Sequence, residues 1–425
     1  MGASIAQTDQ VLARIDREEL VRLALDLGNI DSPTGQEGPV ADYLMTTLRA
    51  WGFAPRTVAL LTDRPNVLAR LPGRGGGRSL LFNSHMDTII ASDEIWVTPR
   101  AGDRIFHSAW RDGEELIGVG VYNDKGSMAA WLIAARAIKE SGVTLPGDLV
   151  LTMVPGEIGV EPVDEFMGPA YVAKEAGARF LAEHGAVADY AIVAEGTHFD
   201  VAWTTAGKAF FKITVHGDLN PIYTPFLTRP VPVERHPNAI VRIAPVIDAL
   251  ERWALRYEEA HRYESAGGTI IPKVNIGAIR GGVPYKITKS VGVCALYLDV
   301  RITPIQDPLD VADEIREVLS GTGIAAEVEM FAYRRAYEGQ GVKPLVEAVS
   351  RVQLQLLGRV PGIARSVFTG MWRDTNVFNA MGIPTIMWGA AGQPDRLAMR
   401  IDDLLTAARL YALVALDVCS QPRAR

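Results

Sequence analysis

The chain has 425 residues, of which 48% are hydrophobic, and a formal net charge of −7 with a sequence pI of about 5.6. This length and hydrophobic content are enough for a large core and predict two domains. The acidic balance argues against nucleic acid as a partner, because nucleic-acid-binding surfaces are basic.

Three features predict a cytoplasmic location without a membrane partner. The chain has only two cysteines, Cys294 and Cys419, and their wide separation argues against a disulfide framework. Residues 1–4 show neither the basic nor the apolar region of a signal peptide. The apolar stretch from Leu404 is interrupted by Arg409, so we expect a core helix there rather than a membrane span.

The first candidate site follows a predicted strand. Two amphipathic helices, over residues 9–24 and 37–51, precede an apolar run at 79–83 that is typical of a strand. The run leads into His85 and Asp87, whose side chains point to the same side of an extended chain. Such a histidine can offer one ring nitrogen to a metal while the aspartate holds the other. Alternatively, the pair caps the end of the strand.

A second polar cluster lies between a glycine-rich turn and a predicted helix. Gly118 and Gly120 precede Asn123 and Asp124, and apolar residues at helical spacing predict a helix over 127–139. Side chains in such a position can serve as ligands. The alternative is that Asn123 or Asp124 caps the helix.

Two further acidic side chains follow predicted strands. Glu157 follows a strand at 148–154, and Glu195 a strand at 190–194. These strands alternate with helical stretches, which predicts a mainly parallel α/β sheet. Loops at the carboxyl ends of such strands hold ligand sites. His85, Glu157 and Glu195 therefore predict one shared site.

The pattern changes near residue 206. The order strand, helix, strand, strand, helix, strand predicts an inserted ferredoxin-like α+β domain over 206–331, which leaves 1–205 and 332–425 for the other domain. The predicted elements are strands at 209–216, 271–280, 290–302 and 324–331 and helices at 238–260 and 308–320. A long Pro-rich loop, 218–237, separates the first strand from the first helix and is expected to be functional or part of an interface.

Together these segments resemble the metallopeptidase family of aminoacylase, carnosinase, glutamate carboxypeptidase and succinyl-diaminopimelate desuccinylase. The resemblance covers nearly the whole chain and includes residues 238–240, 299–304, Asp374 and 382–385. It implies an α/β catalytic domain with a mixed, mainly parallel sheet and an inserted ferredoxin-like lid. It also implies that the chain is a metal-dependent hydrolase and a homo-oligomer that associates through the lid.

The family pattern can be carried over residue by residue. It implies that His85 and Glu195 bind the first metal and that Asp87 supports the histidine in catalysis. It also implies that Glu157 matches a ligand of the second metal. A lid histidine expected shortly after Gly217 is missing from this chain.

Three other family positions are altered. Asn123 stands where the family has the aspartate that bridges two metals. Gly156 stands where the family has its general base, and Met399 where it has the last histidine ligand. Two divalent cations close together need a bridging anion, which a neutral amide cannot supply. We therefore expect a single, labile divalent ion.

That ion, Mn²⁺ or Zn²⁺, is expected to be held by His85, Glu195 and the carbonyl oxygen of Asn123. Without a second metal, Glu157 is free to act as the general base. The alternative is that Glu157 is a third ligand of the single ion.

Four residues are candidates for binding an anionic substrate. Arg301 can bind a carboxylate with its planar fork or pair with Asp299 instead. Arg373 and Arg400 flank the loops of the altered ligands, where a surface role is the alternative. The resemblance implies that Asn238 also contacts substrate.

The altered site favours a substrate that is activated by its own structure. A relative that replaces the ring amine of 5-nitroanthranilate by hydroxide is similar in its altered ligand set. We therefore expect an aminohydrolase that converts 5-nitroanthranilate to 5-nitrosalicylate and ammonia through a metal-activated water, with a small, anionic, aromatic substrate. One alternative is an amidase, dipeptidase or N-acyl amino acid deacylase of the same family. The other is a non-catalytic relative that uses the fold for binding or assembly.

Overall fold

The computed structural model describes residues 5–423, which form two compact units. The first unit consists of the chain up to Trp203, Gly339–Ala364 and the chain from Arg373 onward. The second consists of Thr204–Glu338 and Arg365–Trp372. Residues 1–4, on which the signal-peptide prediction depends, lie outside the described residues.

A six-stranded sheet lies at the centre of the first unit. Four neighbouring strands are parallel and the two at one edge are antiparallel, which confirms a mixed, mainly parallel sheet. In spatial order the strands are Arg56–Val58, Asn66–Leu71, Leu149–Val154, Leu80–His85, Tyr190–Val193 and Thr385–Met387. A smaller sheet contains Trp110–Asp112, Glu115–Ile117 and Ala398–Arg400.

The helices of the first unit pack around this sheet. The longer ones are Ile5–Leu12, Arg17–Gly28, Gly38–Ala50, Gly126–Glu140, Lys343–Leu357 and Ile401–Ser420. Shorter helices and helical turns are Arg104–His107, Val121–Lys125, Pro169–Tyr171, Glu175–Arg179, Phe180–Glu183 and Thr375–Ala380. The single helix predicted over 9–24 is two helices. Asp16 starts the second one, because its carboxylate accepts a hydrogen bond from the backbone N–H of Glu19 at 2.8 Å.

Aromatic side chains join the central strands to two buried helices. The rings of Phe82 and Tyr411 meet edge to face at 5.3 Å, and Trp131 donates its indole N–H to the hydroxyl of Ser84 at 2.9 Å. All three rings are almost fully buried, so this contact fixes strand Leu80–His85, which carries the first candidate ligand.

Helix Ile401–Ser420 is part of this core, as expected for the apolar stretch from Leu404. Within residues 5–423 no helix is both long enough and apolar enough to cross a membrane. Cys294 and Cys419 are both free, as expected from their wide separation, and both are buried.

The second unit has the predicted ferredoxin-like order. Its four strands are antiparallel, and helices Ala239–Ala260 and Pro308–Ser320 pack on one face of the sheet. In spatial order the strands are Val274–Gly281, Val293–Ile302, Gly207–His216 and Ala326–Arg334. Smaller elements are Thr204–Thr205, Thr224–Phe226, Val233–Arg235, Tyr263–Ser265, Gly268–Ile270, Tyr337–Glu338 and Ser366–Thr369.

The boundaries of the units differ from the predicted 206 and 331. The second unit extends to Glu338 because Tyr337–Glu338 pairs with Thr204–Thr205. Residues 365–372 also join it, since the carbonyl oxygen of Thr369 accepts a hydrogen bond from the N–H of Ala206 at 2.8 Å. Neither pairing has a local sequence signal.

Candidate active site

The carboxylate of Asp87 organises one end of the central sheet. It accepts hydrogen bonds from the backbone N–H groups of Glu157 and Ile158, both at 3.0 Å, and from the hydroxyl of Thr34 at 2.7 Å. Its Oδ1 lies 3.3 Å from Nδ1 of His85. A fully buried carboxylate with this many donors fixes both the histidine ring and the loop that carries Glu157.

His85 occupies the end of its strand with a side chain that is only 1% exposed. Its Nδ1 faces Asp87, and its Nε2 lies 3.2 Å from the amide oxygen of Asn123. Burial lowers the pKa of His85, but Asp87, Glu157 and Asp124 more than offset this and raise the pKa well above its usual value. Because Nδ1 already contacts Asp87, Nε2 is the ring nitrogen that could bind an ion.

Asn123 and Asp124 lie in the turn Val121–Lys125, just before helix Gly126–Glu140. Asp124 is buried, and its Oδ2 has no hydrogen-bond partner. Burial raises the pKa of this carboxyl well above its usual value, and the negative charge of Glu195 adds to the effect. The turn thus places a buried carboxyl oxygen without a hydrogen-bond partner near His85.

Two buried ion pairs complete the cluster. Nζ of Lys174 lies 3.6 Å from Oε1 of Glu157, and Nη1 of Arg373 lies 3.3 Å from Oε1 of Glu195. The side chains of Lys174 and Glu157 are 5% and 4% exposed, and those of Arg373 and Glu195 are 12% and 3% exposed. Both glutamates therefore have a positively charged partner from the chain itself.

Gly156, at the position that matches the family's general base, leaves no room for a side chain. Its φ is +70°, and a Cβ atom there would lie 2.5 Å from the carbonyl oxygen and 2.9 Å from Cα of Ala173. Real Cβ atoms do not approach backbone so closely. The backbone at 173 therefore fills the space that a larger side chain at 156 would need.

A buried pair of charges holds these two segments together. Arg64 donates two hydrogen bonds to the carboxylate of Glu37, at 2.7 and 2.8 Å, and another to the carbonyl oxygen of Val172. The same carboxylate accepts the N–H of Gly156 at 3.1 Å. No sequence signal pointed to this pair, because its members are far apart in the chain and belong to no motif.

Asp374 is a further buried carboxyl group in the cluster. It accepts a hydrogen bond from the side-chain amide of Asn83 at 2.9 Å. Burial, with repulsion from Glu157, raises the pKa of Asp374 to about 7.

The other predicted substrate-binding residues have contacts of their own. Arg400 is exposed on strand Ala398–Arg400, where its charge acts on Asp403. Two more belong to the second unit. Arg301 pairs with Asp299 at 2.8 Å, as in its alternative interpretation. Asn238 caps helix Ala239–Ala260 by accepting the N–H of Ile240 at 3.0 Å. Each of these contacts gives its residue a structural role.

The donor set offers ligands of the types that a divalent ion accepts. Oε1 of Glu195 and Oε1 of Glu157 are buried and lack a hydrogen-bond donor, as does Oδ2 of Asp124. Nε2 of His85, the carboxylate of Glu195 and the amide oxygen of Asn123 are ligand types that Mn²⁺ and Zn²⁺ accept. An ion on Glu195 would share that carboxylate with Arg373.

Within the described part of the chain, no three histidine, cysteine, aspartate or glutamate side chains form a ligand cluster for a metal ion, so an ion here would also need the amide oxygen of Asn123. Two residues also differ from those of a two-metal site. Asn123 supplies no bridging charge. Met399 is buried close to Gly126 and places a thioether where the resemblance would have a histidine.

Comparison with known proteins identifies the family. The model of peptidase family M20/M25/M40 matches residues 81–417, which is most of the chain. The chain belongs to this peptidase family. The resemblance predicted from the sequence is therefore confirmed, and M20 enzymes are metal-dependent hydrolases of C–N bonds.

Among curated M20 relatives, the chain is 32% identical to N-formyl-4-amino-5-aminomethyl-2-methylpyrimidine deformylase of Bacillus subtilis over 187 residues. This match covers 42% of the chain and only 39% of the deformylase. The chain is 26% identical to succinyl-diaminopimelate desuccinylase of Gluconacetobacter diazotrophicus over 397 residues, which cover 92% of the chain and 93% of that protein.

A solved M20 structure shares the fold. The YXEP protein of Bacillus subtilis, described as a dinuclear metal-binding peptidase, superposes with a TM-score of 0.60. The match covers 94% of this chain and 97% of the other at 15% identity. At that identity the likeness shows the fold alone.

Replacing Gly156 by alanine should destabilise the protein. We expect a loss of about 2 kcal/mol or more in the free energy of unfolding, because Cβ would meet the backbone of Ala173 at a positive φ. Denaturant unfolding measures this loss. Gly102→Ala is the matched control, since no heavy atom lies within 4 Å of its Cβ, and it should change stability by less than about 0.5 kcal/mol. Equal effects of the two variants would contradict the packing at 156.

The raised pKa of Asp374 predicts a pH dependence of stability in the metal-free protein. The folded pKa of about 7 exceeds the ordinary value of 3.8, so the native state binds this proton more tightly than the unfolded chain. This contribution is complete below about pH 4 and is lost as pH rises to about 7. Asp374→Asn removes this contribution. The stability of the variant relative to wild type should therefore increase as the pH rises from about 5 to about 8.

Urea unfolding at the two pH values measures the effect. Asp42→Asn, which changes an exposed carboxyl group, should follow the wild type at both. A difference between Asp374→Asn and wild type that does not vary with pH would show that the carboxyl group is ionised in the folded protein.

Proposed function

We propose that this protein hydrolyses a C–N bond in a small anionic substrate with one divalent ion, held by His85, Glu195 and the amide oxygen of Asn123. The observation that carries the proposal is the buried cluster at the strand ends, where carboxylate oxygens that accept no hydrogen bond lie beside an imidazole and a guanidinium. A divalent ion bound there would polarise the bond to be hydrolysed and lower the pKa of water.

In this proposal Glu157 moves the proton. Burial raises the pKa of Glu157, but the positive charges of Lys174, His85 and Arg373 lower it below its usual value, so the side chain is ionised. Its buried Oε1 has no hydrogen-bond donor and can accept a proton from water, then return it to the departing nitrogen. A carboxylate with a lowered pKa is a weak base. The substrate must therefore already be activated.

Arg373 is the group proposed to bind the anionic part of the substrate. Its guanidinium lies inside the cluster beside Glu195, with 12% of its side chain exposed. A planar guanidinium can hold a carboxylate through two parallel hydrogen bonds.

Two substrate classes satisfy these requirements. A nitro-substituted aromatic amine with a carboxylate, such as 5-nitroanthranilate, is activated by its own ring and suits a weak base. An N-acyl amino acid is favoured instead by the likeness to a desuccinylase along most of both chains. We propose the aromatic amine first, because no side chain fits at 156, and the N-acyl compound second.

A substrate screen separates the candidates. The purified protein is loaded with Mn²⁺ or Zn²⁺ and tested on nitroanthranilates, nitroanilines without a carboxylate, and N-formyl and N-succinyl amino acids. We expect metal-dependent release of ammonia or amine only from substrates that carry a carboxylate. Arg373→Met should raise KM for these substrates, whereas Arg400→Met, which changes an exposed arginine, should not. Absence of metal-dependent turnover with every class would favour the non-catalytic alternative.

The role of Glu157 can be tested by Glu157→Gln. If Glu157 is the base, activity should fall by about two to four orders of magnitude while the ion is still bound. If it is a ligand, metal affinity should fall with activity, and excess metal should restore part of the turnover. Thermal unfolding confirms that the variant folds. Near-normal turnover at ordinary metal concentrations would rule out both roles.

A further inference from the structure

Lys174 lies among three buried carboxyl groups. Its Nζ is 3.6 Å from Oε1 of Glu157, and its charge also acts on Asp87 and Asp374. The side chain of Lys174 is only 5% exposed, and the three carboxyl groups are buried as well. A buried ammonium is costly unless nearby negative charge balances it, and these groups provide that charge.

Two hydrogen bonds hold the backbone on either side of Lys174. Val172, two residues before Lys174, accepts a hydrogen bond from Arg64, and Ala176, two residues after it, accepts one from Asn66 at 2.6 Å. Gly159 leaves room for the lysine stem, since a Cβ atom there would lie 3.3 Å from its Cε. These contacts position the backbone and the side-chain stem of Lys174.

A divalent ion that bound Glu157 would lie close to this ammonium. Two positive charges at such a distance repel each other strongly in a buried site. The negative charge of Glu157 can thus be balanced by Lys174 or by a metal ion, but not well by both. On the Glu195 side the guanidinium of Arg373 also lies close, 3.3 Å from Oε1 of Glu195, so an ion there would share this carboxylate. That side differs because Nε2 of His85 and the amide oxygen of Asn123, 3.2 Å apart, can supply two further ligands.

We propose that Lys174 takes the place of a second metal ion and keeps the site mononuclear. The proposal rests on the one-ion site proposed above and adds a cause: a second ion is excluded by the charge of Lys174 as well as by missing ligands. Lys174 is then a positioning residue that holds the carboxylate of Glu157 without a second metal.

The test restores a bridging carboxylate with and without the lysine. Wild type, Asn123→Asp, and Asn123→Asp combined with Lys174→Met are loaded with Mn²⁺ and desalted, and the retained metal is measured by elemental analysis. Electron paramagnetic resonance distinguishes isolated from paired Mn²⁺ ions. We expect about one equivalent in wild type. The single variant should hold one ion more tightly, and the double variant should approach two equivalents with the signal of paired ions.

The matched control is Asn123→Asp combined with Lys174→Arg, which retains the positive charge and should stay at one equivalent. Two equivalents in Asn123→Asp alone would overturn the proposal, because the lysine would then not exclude the second ion. One equivalent in the variant with Lys174→Met would overturn it equally.

Failure of the one-ion site has a different signature. In that case wild type retains no ion, or Asn123→Asp leaves the retention of the first ion unchanged. If Lys174→Met yields no folded protein, Lys174→Gln removes the charge while keeping a polar head group, and the same metal count decides.

Discussion

The site depends on the buried carboxylate of Asp87. It lies just past the end of a central strand. It accepts hydrogen bonds from two backbone N–H groups of the loop that carries Glu157 and from the hydroxyl of Thr34, which precedes helix Gly38–Ala50. Because its remaining contact orients His85, one side chain sets the geometry of both the imidazole and the loop. The pKa of Asp87 is correspondingly low, since the hydrogen bond and charge of His85 more than offset the effect of burial.

Charge balance explains the rest of the cluster. Five carboxyl groups lie in or next to the site, and Lys174 and Arg373 supply the fixed positive charge. The carboxyl groups are Asp87, Asp124, Glu157, Glu195 and Asp374. Burial is the main reason that the pKa values of Asp124 and Asp374 are raised, and repulsion from Glu195 and from Glu157, respectively, adds to it. The proposed cation and the proposed substrate anion would bind among these groups.

Much of the fold was predictable because its signals are local. Apolar runs located the central strands, and the ends of parallel strands brought His85, Glu157 and the loop of Glu195 to one edge of the sheet. The ferredoxin-like order followed from alternating patterns in the same way. The break at Asp16 was missed, because the helices on either side continue the same apolar spacing.

The parts of the site that were not predicted arise from pairings across the chain. Lys174 lies in a segment with no periodic pattern, and the pair of Glu37 and Arg64 joins residues that no motif connects. Arg301 and Asn238 were predicted to bind substrate. In the structure each contacts a residue two positions away in the chain. Burial and charge are properties of the folded chain, so residue spacing alone could not decide these roles.

The close approach of Ala173 to Gly156 has a consequence for attempts to redesign this protein. A carboxylate at 156 and the present path of the chain through 173 are mutually exclusive, because both need the same volume. Exchanging one amino acid therefore cannot convert this site into one with a glutamate at that position. The segment that includes Ala173 and Lys174 would have to be rerouted in the same step, which makes the loop rather than the glycine the unit of design.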